Sequence, residues 1–547
     1  MAKFNRSGSR AAVSSPVKTE ARPSGVTYEG APGYARDAKS ELFLLAVANM
    51  VGEDTFYEKA GDRDDRYRAL VRQVALDDPL WLTQMLTWLR SEGNMRSAPI
   101  VGACEMVKAR LEAAAATPPH AGSGAPAGPP DGARRQRDLN RRVIDAVCRR
   151  ADEPGELLAY WTAAYGRAIP KPVKRGLADA VRRLYDERSL LKYDTGSRGF
   201  RFGDVVELVH PSPDPGKPWQ GALFAHAIDR RRGRAGEPEP GVLGTIARNA
   251  AFLKAAAERP ELLLDADALH QAGLTWENAL SLAGSRVDKA RLWEALIPSM
   301  GYMALLRNLR NFDEAGVSDE VAERVAARLA DPEQVARSRQ FPFRFFSAHL
   351  AAPSLRWSHA LDKALTAATA NVPPLPGRTL VLVDTSASMT SRGVSGRSKM
   401  TYAQMAALFG VTLAARGDQV DLCGFANGTF GHRVRRGASV LREVERLVRR
   451  IGEVGHGTDI AGAVRATYRG QDRVIILSDM QTFGGTGGVA DAAPEHVPMY
   501  GFNLAGYRHA AMPTGRGTRH ELGGMTDATF RLIPLLEAGR DADWPWL

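Results

Sequence analysis

The stretch Arg378–Met389, RTLVLVDTSASM, joins an apolar run to a cluster of oxygen-bearing side chains. Its Leu380–Val383 run is uncharged and β-rich, which favours a central strand of a parallel sheet that is covered on both faces. Asp384, Ser386 and Ser388 follow where such a strand would end, and open α/β sheets bind ligands at the carboxyl ends of their strands. One carboxylate and two hydroxyls suit Mg²⁺ or Mn²⁺, although they carry too little charge to saturate the ion.

A simpler interpretation is also open, because Ser and Thr after a strand can cap the next helix. Two later stretches favour the metal site: the glycine-rich loop Gly455–Asp459 (GHGTD), and Val474–Asp479 (VIILSD), a second buried-type strand that ends in an aspartate. Together with DTSAS they resemble the metal-ion-dependent adhesion site of von Willebrand factor A domains. That resemblance implies that a divalent ion, Mg²⁺ in the first place and Mn²⁺ as an alternative, is bound by Asp384, Ser386, Ser388, Thr458 and Asp479.

Length and composition indicate a soluble protein of several domains. The chain has 547 residues, of which 44% are hydrophobic and 25% are charged, so two or three domains with buried cores are expected. No apolar run approaches the length of a membrane span, and the N-terminus lacks the apolar core of a secretory signal. Three distant cysteines, Cys104, Cys148 and Cys423, fit neither a disulfide framework nor zinc spacing, which favours a reducing cytoplasm.

The net charge of +11 makes a polyanion the first partner to consider. Residues 101–250 carry 25 lysines and arginines against 18 aspartates and glutamates, a net of +7. In Arg134–Arg150, arginines surround an apolar stripe of Leu139, Val143, Ile144 and Val147. In Lys171–Glu187, basic residues recur at spacings that place several of them on adjacent turns. A solvated helix face is the alternative interpretation of such charge.

From Tyr34 onward the chain reads as short amphipathic helices joined by tight turns, and strand signals are almost absent before residue 378. This pattern predicts an α-solenoid of stacked helix pairs. The Pro/Gly/Ala-rich stretch at 117–133 is predicted to be a mobile insertion. Residues 1–27 are predicted to form a disordered basic tail.

The stretch Ile297–Phe312, IPSMGYMALLRNLRNF, resembles a signature helix of the Ro ribonucleoprotein, or TROVE, family. The C-terminal half agrees with the family through DTSASM, GHGTD and SDMQTF. The resemblance runs from Tyr28 to the C-terminus and leaves out the tail and the insertion. Further fragments that resemble the family, in the same order, are Tyr28–Val47, Gly93–Val107, Gly176–Glu187, Phe202–Pro213, Phe341–Ala351 and Trp357–Thr369.

The resemblance implies a fold of two parts. HEAT-like helical repeats at 28–372 would close into a ring, and residues 377–547 would form a doubly wound, Rossmann-like von Willebrand factor A domain that carries the metal site. A ring closed within one chain favours a monomer.

The resemblance also implies an RNA-binding function. Small structured non-coding (Y-like) RNAs would bind a basic outer surface, and single-stranded 3′ ends of misfolded RNAs would enter the central hole, for non-coding RNA quality control. Contacts from Lys and Arg to phosphates give sequence-tolerant affinity, which suits this task. The candidate RNA-binding residues are Arg134, Arg135, Arg141, Arg142, Lys171, Lys174, Arg175, Arg182 and Arg183.

One departure from the family lies at Phe202–Gly203–Asp204, where relatives tend to carry His-Lys before the aspartate, so the RNA partner is expected to differ. No catalytic role is expected, since the sequence has no G-x-x-x-x-G-K-[ST], H-E-x-x-H or C-x-x-C motif. The rival function is a protein-binding scaffold whose A domain captures an acidic partner through the metal. An exoribonuclease is one protein that the A domain could recruit.

Overall fold

The computed structural model describes residues 13–48, 51–116, 131–236, 238–370, 372–394, 400–435, 437–484, 487–523, 527–538 and 541–547. For Asp131–Arg137, Arg516 and 527–528 only the backbone is described. The chain divides into two compact units. The sheet unit comprises Met1–Gln73, Ala330–Pro353 and Ser358–Leu547, and the helical unit comprises Val74–Leu329 and Ser354–Trp357.

The strands are β1 (Val13–Ser14), β2 (Gly25–Val26), β3 (Pro32–Gly33), β4 (Arg378–Asp384), β5 (Gln419–Phe425), β6 (Thr429–Gly431), β7 (Arg473–Ser478), β8 (Met499–Asn503), β9 (Arg516–Gly517) and β10 (Arg519–Gly523).

The helices from the N-terminus to residue 330 are α1 (Ala38–Ala48), α2 (Ala60–Asp77), α3 (Pro79–Ser91), α4 (Ser97–Ala116), α5 (Asp131–Val147), α6 (Glu153–Tyr165), α7 (Lys171–Leu184), α8 (Glu187–Tyr193), α9 (Phe202–Val209), α10 (Gln220–Arg231), α11 (Gly244–Glu258), α12 (Ala266–Gln271), α13 (Trp276–Ala283), α14 (Lys289–Leu296), α15 (Tyr302–Ala315) and α16 (Asp319–Ala330). Those that follow are α17 (Pro332–Ser338), α18 (Pro342–Ala351), α19 (Leu355–Ala368), α20 (Ala387–Thr390), α21 (Tyr402–Arg416), α22 (Val440–Val448), α23 (Ile460–Thr467), α24 (Asp527–Phe530) and α25 (Leu532–Glu537).

The main sheet has the strand order β10-β8-β7-β4-β5-β6. The strands from β10 to β5 run parallel, and β6 pairs antiparallel with β5. β4 lies between β5 and β7, as its uncharged sequence predicts for a central strand. Its carboxyl end therefore lies beside the end of β7, which brings Asp384 next to the Ser478–Asp479 step.

Helices cover both faces of β4, because alternate side chains of a strand point to opposite faces. Leu380 and Leu382 belong to a core cluster that also contains Ile460 and Val464 of α23. On the other face α21 approaches closely at Gly410, where an added Cβ would lie 2.6 Å from the Val383 side chain. The predicted α/β, Rossmann-like domain is confirmed.

The helical unit is built of helices that pack on their neighbours in the chain, and the predicted helical part of the fold class is also confirmed. In α7 a proline in the first turn starts the helix, and Val173, Leu177 and Val181 form its buried stripe. In α5 the facing stripe is Val143, Ile144 and Val147. α5 and α7 pack against each other.

Gly176 sets the distance between α5 and α7. A Cβ at this position would lie 2.5 Å from the Arg141 carbonyl oxygen and 2.7 Å from the Ile144 Cβ. Gly176→Ala is therefore expected to lower the free energy of unfolding by about 1–3 kcal/mol, because the two helices must move apart. Gly61→Ala, in a helix but with open space around it, is the control and is expected to cost nothing. Equal stability of the two variants in urea unfolding would contradict this packing.

The predicted disordered tail at 1–27 is wrong for the part that the structure describes. β1 pairs antiparallel with β9, and β2 pairs with β3. Further along, the Arg36 guanidinium forms a buried two-point ion pair with Glu521, at 2.7 and 2.6 Å. A segment without an apolar core of its own is thus ordered by long-range pairing. Residues 1–12 lie outside the described residues.

The predicted domain boundaries also need correction. The structure places Met1–Gln73 and Ala330–Pro353 with the sheet unit, not with the helical tract predicted at 28–372. Residues 131–133 of the predicted insertion at 117–133 belong to α5, which begins at Asp131. Residues 117–130 lie outside the described residues. No described helix is both long and apolar enough to cross a membrane.

Candidate functional site

Asp384 lies at the carboxyl end of β4 and is completely buried. The Ser386 backbone N–H donates to its Oδ1 at 2.9 Å, and the Ser478 hydroxyl donates to its Oδ2 at 2.6 Å. The hydroxyls of Ser386 and Ser388 lie 3.1 Å apart. The three residues predicted from the D-x-S-x-S pattern are therefore neighbours.

Asp479 follows β7 directly, and its Oδ1 accepts a hydrogen bond from the Gln481 backbone N–H at 3.1 Å. Its Oδ2 is buried without a hydrogen-bond partner. Because β4 and β7 are neighbouring parallel strands, Asp479 lies at the same edge of the sheet as Asp384. Met480, the next residue, has a φ of 60°. A left-handed conformation in a non-glycine residue costs about 1–3 kcal/mol and is typical of functional turns.

Thr458 lies on the Gly455–Asp459 loop, which contacts both neighbouring stretches through its backbone. The Ala387 N–H donates to the His456 carbonyl at 2.8 Å, and the Phe483 N–H donates to the Thr458 carbonyl at 2.9 Å. All five predicted ligands are thus brought to one end of the sheet, with exposed fractions between 0% and 5%.

This donor set fits a small divalent cation. Burial raises the pKa of both Asp384 and Asp479, and in Asp479 the charge of Asp384 raises the pKa further. The two buried carboxylates repel each other, and the Oδ2 of Asp479 has no hydrogen-bond partner. Together with the neighbouring serine hydroxyls, they suit Mg²⁺ or Mn²⁺. Within the described part of the chain, no three side chains of His, Cys, Asp or Glu are grouped to hold a metal. The site would therefore depend on its serine and threonine oxygens.

Mg²⁺ is expected to raise the Tm of the protein more at pH 8 than at pH 5. Without the ion, raised aspartate pKa values stabilise the fold at low pH, and this contribution is lost as the pH rises through those values. The ion binds the charged form and removes the repulsion. With free Mg²⁺ about 100 times above the Kd the stabilisation is ~2.7 kcal/mol. Asp384→Asn is the control, and an equal Tm shift at the two pH values would contradict the predicted site.

Residues outside the predicted ligand set also take part in this site. Ser478, which lies within the VIILSD stretch but was not predicted as a ligand, donates a hydrogen bond to Asp384. Glu29 accepts a hydrogen bond from the Tyr57 hydroxyl, and its charge contributes to the raised pKa of both aspartates. Glu29 and Tyr57 lie about 330 residues or more before the first motif, and no local pattern in the sequence points to them.

The candidate RNA-binding residues on α5 and α7 fall into two groups. Three of the arginines are neutralised by aspartates of the same helix pair: Arg141 pairs with Asp179, Arg142 with Asp138 and Arg183 with Asp145. In contrast, Lys171, Lys174 and Arg175 form no ion pair with any described residue, and Lys171 and Arg175 are exposed.

The three remaining candidates are Arg182, Arg134 and Arg135. Arg182 is half-buried, and its carbonyl oxygen accepts hydrogen bonds from Lys217 and Gln220 at 2.7 and 2.9 Å. Arg134 and Arg135 belong to α5, where only the backbone is described for these two residues. The basic surface is therefore defined here as Lys171, Lys174 and Arg175.

The family departure at Phe202–Asp204 has a structural role. The Phe202 ring stacks on Tyr185 with the ring centres 3.8 Å apart. Asp204 accepts from the Arg201 N–H and from the Arg231 side chain. Phe202 and Asp204 thus stabilise the start of α9, and neither residue carries a positive charge that could contact RNA phosphates.

The chain is similar to known proteins both in sequence and in structure. A family profile described as the TROVE domain matches residues 270–356, which include α15. Telomerase protein component 1 of Mus musculus is 38% identical over 110 residues, covering 20% of this chain and 4% of that protein. RNA-binding protein RO60 of Caenorhabditis elegans is 31% identical over 157 residues, covering 26% of this chain and 24% of the relative.

RNA-binding protein RO60 of Deinococcus radiodurans is 31% identical over 139 residues, covering 22% of this chain and 26% of the relative. The chain thus matches only a small part of the length of these curated relatives. The crystal structure of the Deinococcus radiodurans RO (RSR) protein superposes with a TM-score of 0.60 at 18% identity, covering 90% of this chain and 99% of that one. At this identity the likeness is one of fold. The chain is thus similar to TROVE-domain proteins over residues 270–356 and to RO60 proteins over about a quarter of its length, and it shares the fold of the Deinococcus radiodurans RO protein.

Proposed function

We propose that this protein is a non-catalytic, RNA-binding component of a ribonucleoprotein. The observation that carries the proposal is the basic surface on α7, whose three cations have no acidic partner among the described residues. Cations that are not neutralised within the fold are available to phosphates. The relationship to proteins described as RNA-binding supports the same function.

The proposed ligands are small structured non-coding RNAs, Y-like in kind, and misfolded RNAs with a single-stranded 3′ end. Contacts to phosphate fix position without reading sequence, and this suits a protein that handles many RNAs in quality control. Arg141, Arg142 and Arg183 would contribute less than Lys171, Lys174 and Arg175, because each is already paired with an aspartate.

The experiment is to purify the full chain from its native cells at low salt and to sequence the RNA that accompanies it. We expect enrichment of small structured non-coding RNAs over total RNA. Recovery of RNA in proportion to its cellular abundance would overturn the proposal.

The sheet unit is proposed to hold Mg²⁺ at Asp384, Ser386, Ser388, Thr458 and Asp479. When bound, the ion would supply a positive charge that attracts an acidic ligand. The protein-binding scaffold remains the second candidate function, with an exoribonuclease or another protein captured at this ion. The unpartnered oxygen of Asp479 is the observation that favours an ion here.

A further inference from the structure

The N-terminal segment of the sheet unit lies against the loop that carries Asp479. The Thr27 hydroxyl donates to the Thr482 carbonyl at 2.8 Å, and the Tyr28 N–H donates to the Gln481 side chain at 2.8 Å. Gly30 forms an antiparallel bridge with Phe483. The turn Thr27–Gly30 is therefore fixed two to four residues past Asp479, and Glu29 lies within that turn.

A second contact connects Glu29 to the predicted ligands. The Tyr57 hydroxyl donates to the Glu29 carboxylate. Burial, Glu29 and Asp479 raise the pKa of this phenol and Ser388 lowers it, which agrees with a position of Tyr57 beside the predicted ligands. The ring of Tyr57 stacks on Tyr28, with the ring centres 4.9 Å apart, and contacts Tyr507 edge-on at 5.3 Å.

Burial of the site argues against free access by a partner. None of the five predicted ligands is more than 5% exposed, whereas Glu29 is only half-buried and adjoins them through Tyr57.

We propose that Glu29 supplies, from within the same chain, the carboxylate that this metal site would otherwise take from a partner. The inference rests on the proposed metal site. In the structure Tyr57 holds the Glu29 carboxylate beside the site, and rotation about the flexible glutamate side chain would bring it to the ion. After that rotation, Glu29 would be the third carboxylate at the divalent cation, beside Asp384 and Asp479. Tyr57 is a positioning residue.

The test measures binding of Mg²⁺ and Mn²⁺ to the full-length protein by calorimetry after EDTA treatment and desalting. Glu29→Gln removes the charge at constant shape and is expected to weaken binding about tenfold. Tyr57→Phe is expected to weaken binding by a smaller factor. Glu20→Gln, exposed on the same segment, is the matched control and should bind as the wild type does. Unchanged affinity in Glu29→Gln overturns the inference.

Water-proton relaxation by bound Mn²⁺ gives a second measurement. Glu29→Ala should increase the relaxation per bound ion, because water replaces the carboxylate as a ligand. An aspartate-containing peptide should bind Mg²⁺-loaded Glu29→Ala but not the loaded wild type, and equal binding to both would overturn the inference. If the wild type binds neither ion, the metal site itself fails, whereas the RNA proposal is judged separately by its own assay.

Discussion

Asp384→Ala is expected to lower the affinity for Mg²⁺ by on the order of 100-fold or more, because ligand charge largely sets the affinity of such sites. Asp384 is fully buried, ends the central strand and organises both Ser386 and Ser478 through hydrogen bonds. Its removal therefore deletes one negative charge and frees two neighbouring groups. Calorimetric titration with Mg²⁺ and Mn²⁺ is the measurement.

RNA binding by the same variant is expected to stay within about threefold of the wild type, since phosphate contacts by the basic surface determine that affinity. Asp384→Asn keeps the shape of the side chain and separates loss of charge from local collapse. A parallel loss of metal and RNA binding in both variants would show that the two sites are not independent.

Reversal of the basic surface, Lys171→Glu with Lys174→Glu and Arg175→Glu, is expected to weaken binding of a structured RNA on the order of 100-fold at 0.15 M salt. Three phosphate contacts are lost together, so the slope of log K against log salt should fall by about 3. Filter binding over a series of salt concentrations measures both quantities. The buried stripe of α7 is not altered, so the helix should remain folded.

The matched control reverses three other cations of the helical unit, Lys254, Lys289 and Arg291. They are exposed and form no ion pair with a described residue. The change in net charge is the same in both triple variants. An equal loss of affinity would mean that RNA responds to the overall charge and that α7 is not the binding surface.

Local sequence patterns predicted the elements that depend on local properties. Leu380–Val383 had to be a buried central strand because an uncharged, β-rich run is stable only when both of its faces are covered. The buried stripe at Val143, Ile144 and Val147 likewise follows from the helical period. The meeting of Asp384 with Asp479 could also be anticipated, since neighbouring parallel strands end at the same edge of a sheet.

Contacts between distant residues were not predictable in this way. Nothing near Glu29 in the sequence indicates that it lies beside residues 384 and 479, and nothing in the 13–27 segment indicates pairing near residue 517. The same limit applies to charge: helical periodicity placed Arg141 on an outer face but could not show its pairing with Asp179. Single residues could therefore be assigned to a face, but their partners required the structure.

The central claim is that the unpaired cations of α7 bind RNA independently of the metal site. Its most direct test is the salt dependence of RNA affinity in wild-type protein, measured with Mg²⁺ and again with EDTA. We expect a steep linear fall of log K with log salt and the same slope and affinity under both conditions. A shallow slope with weak, unselective binding, or loss of binding in EDTA, would contradict the claim.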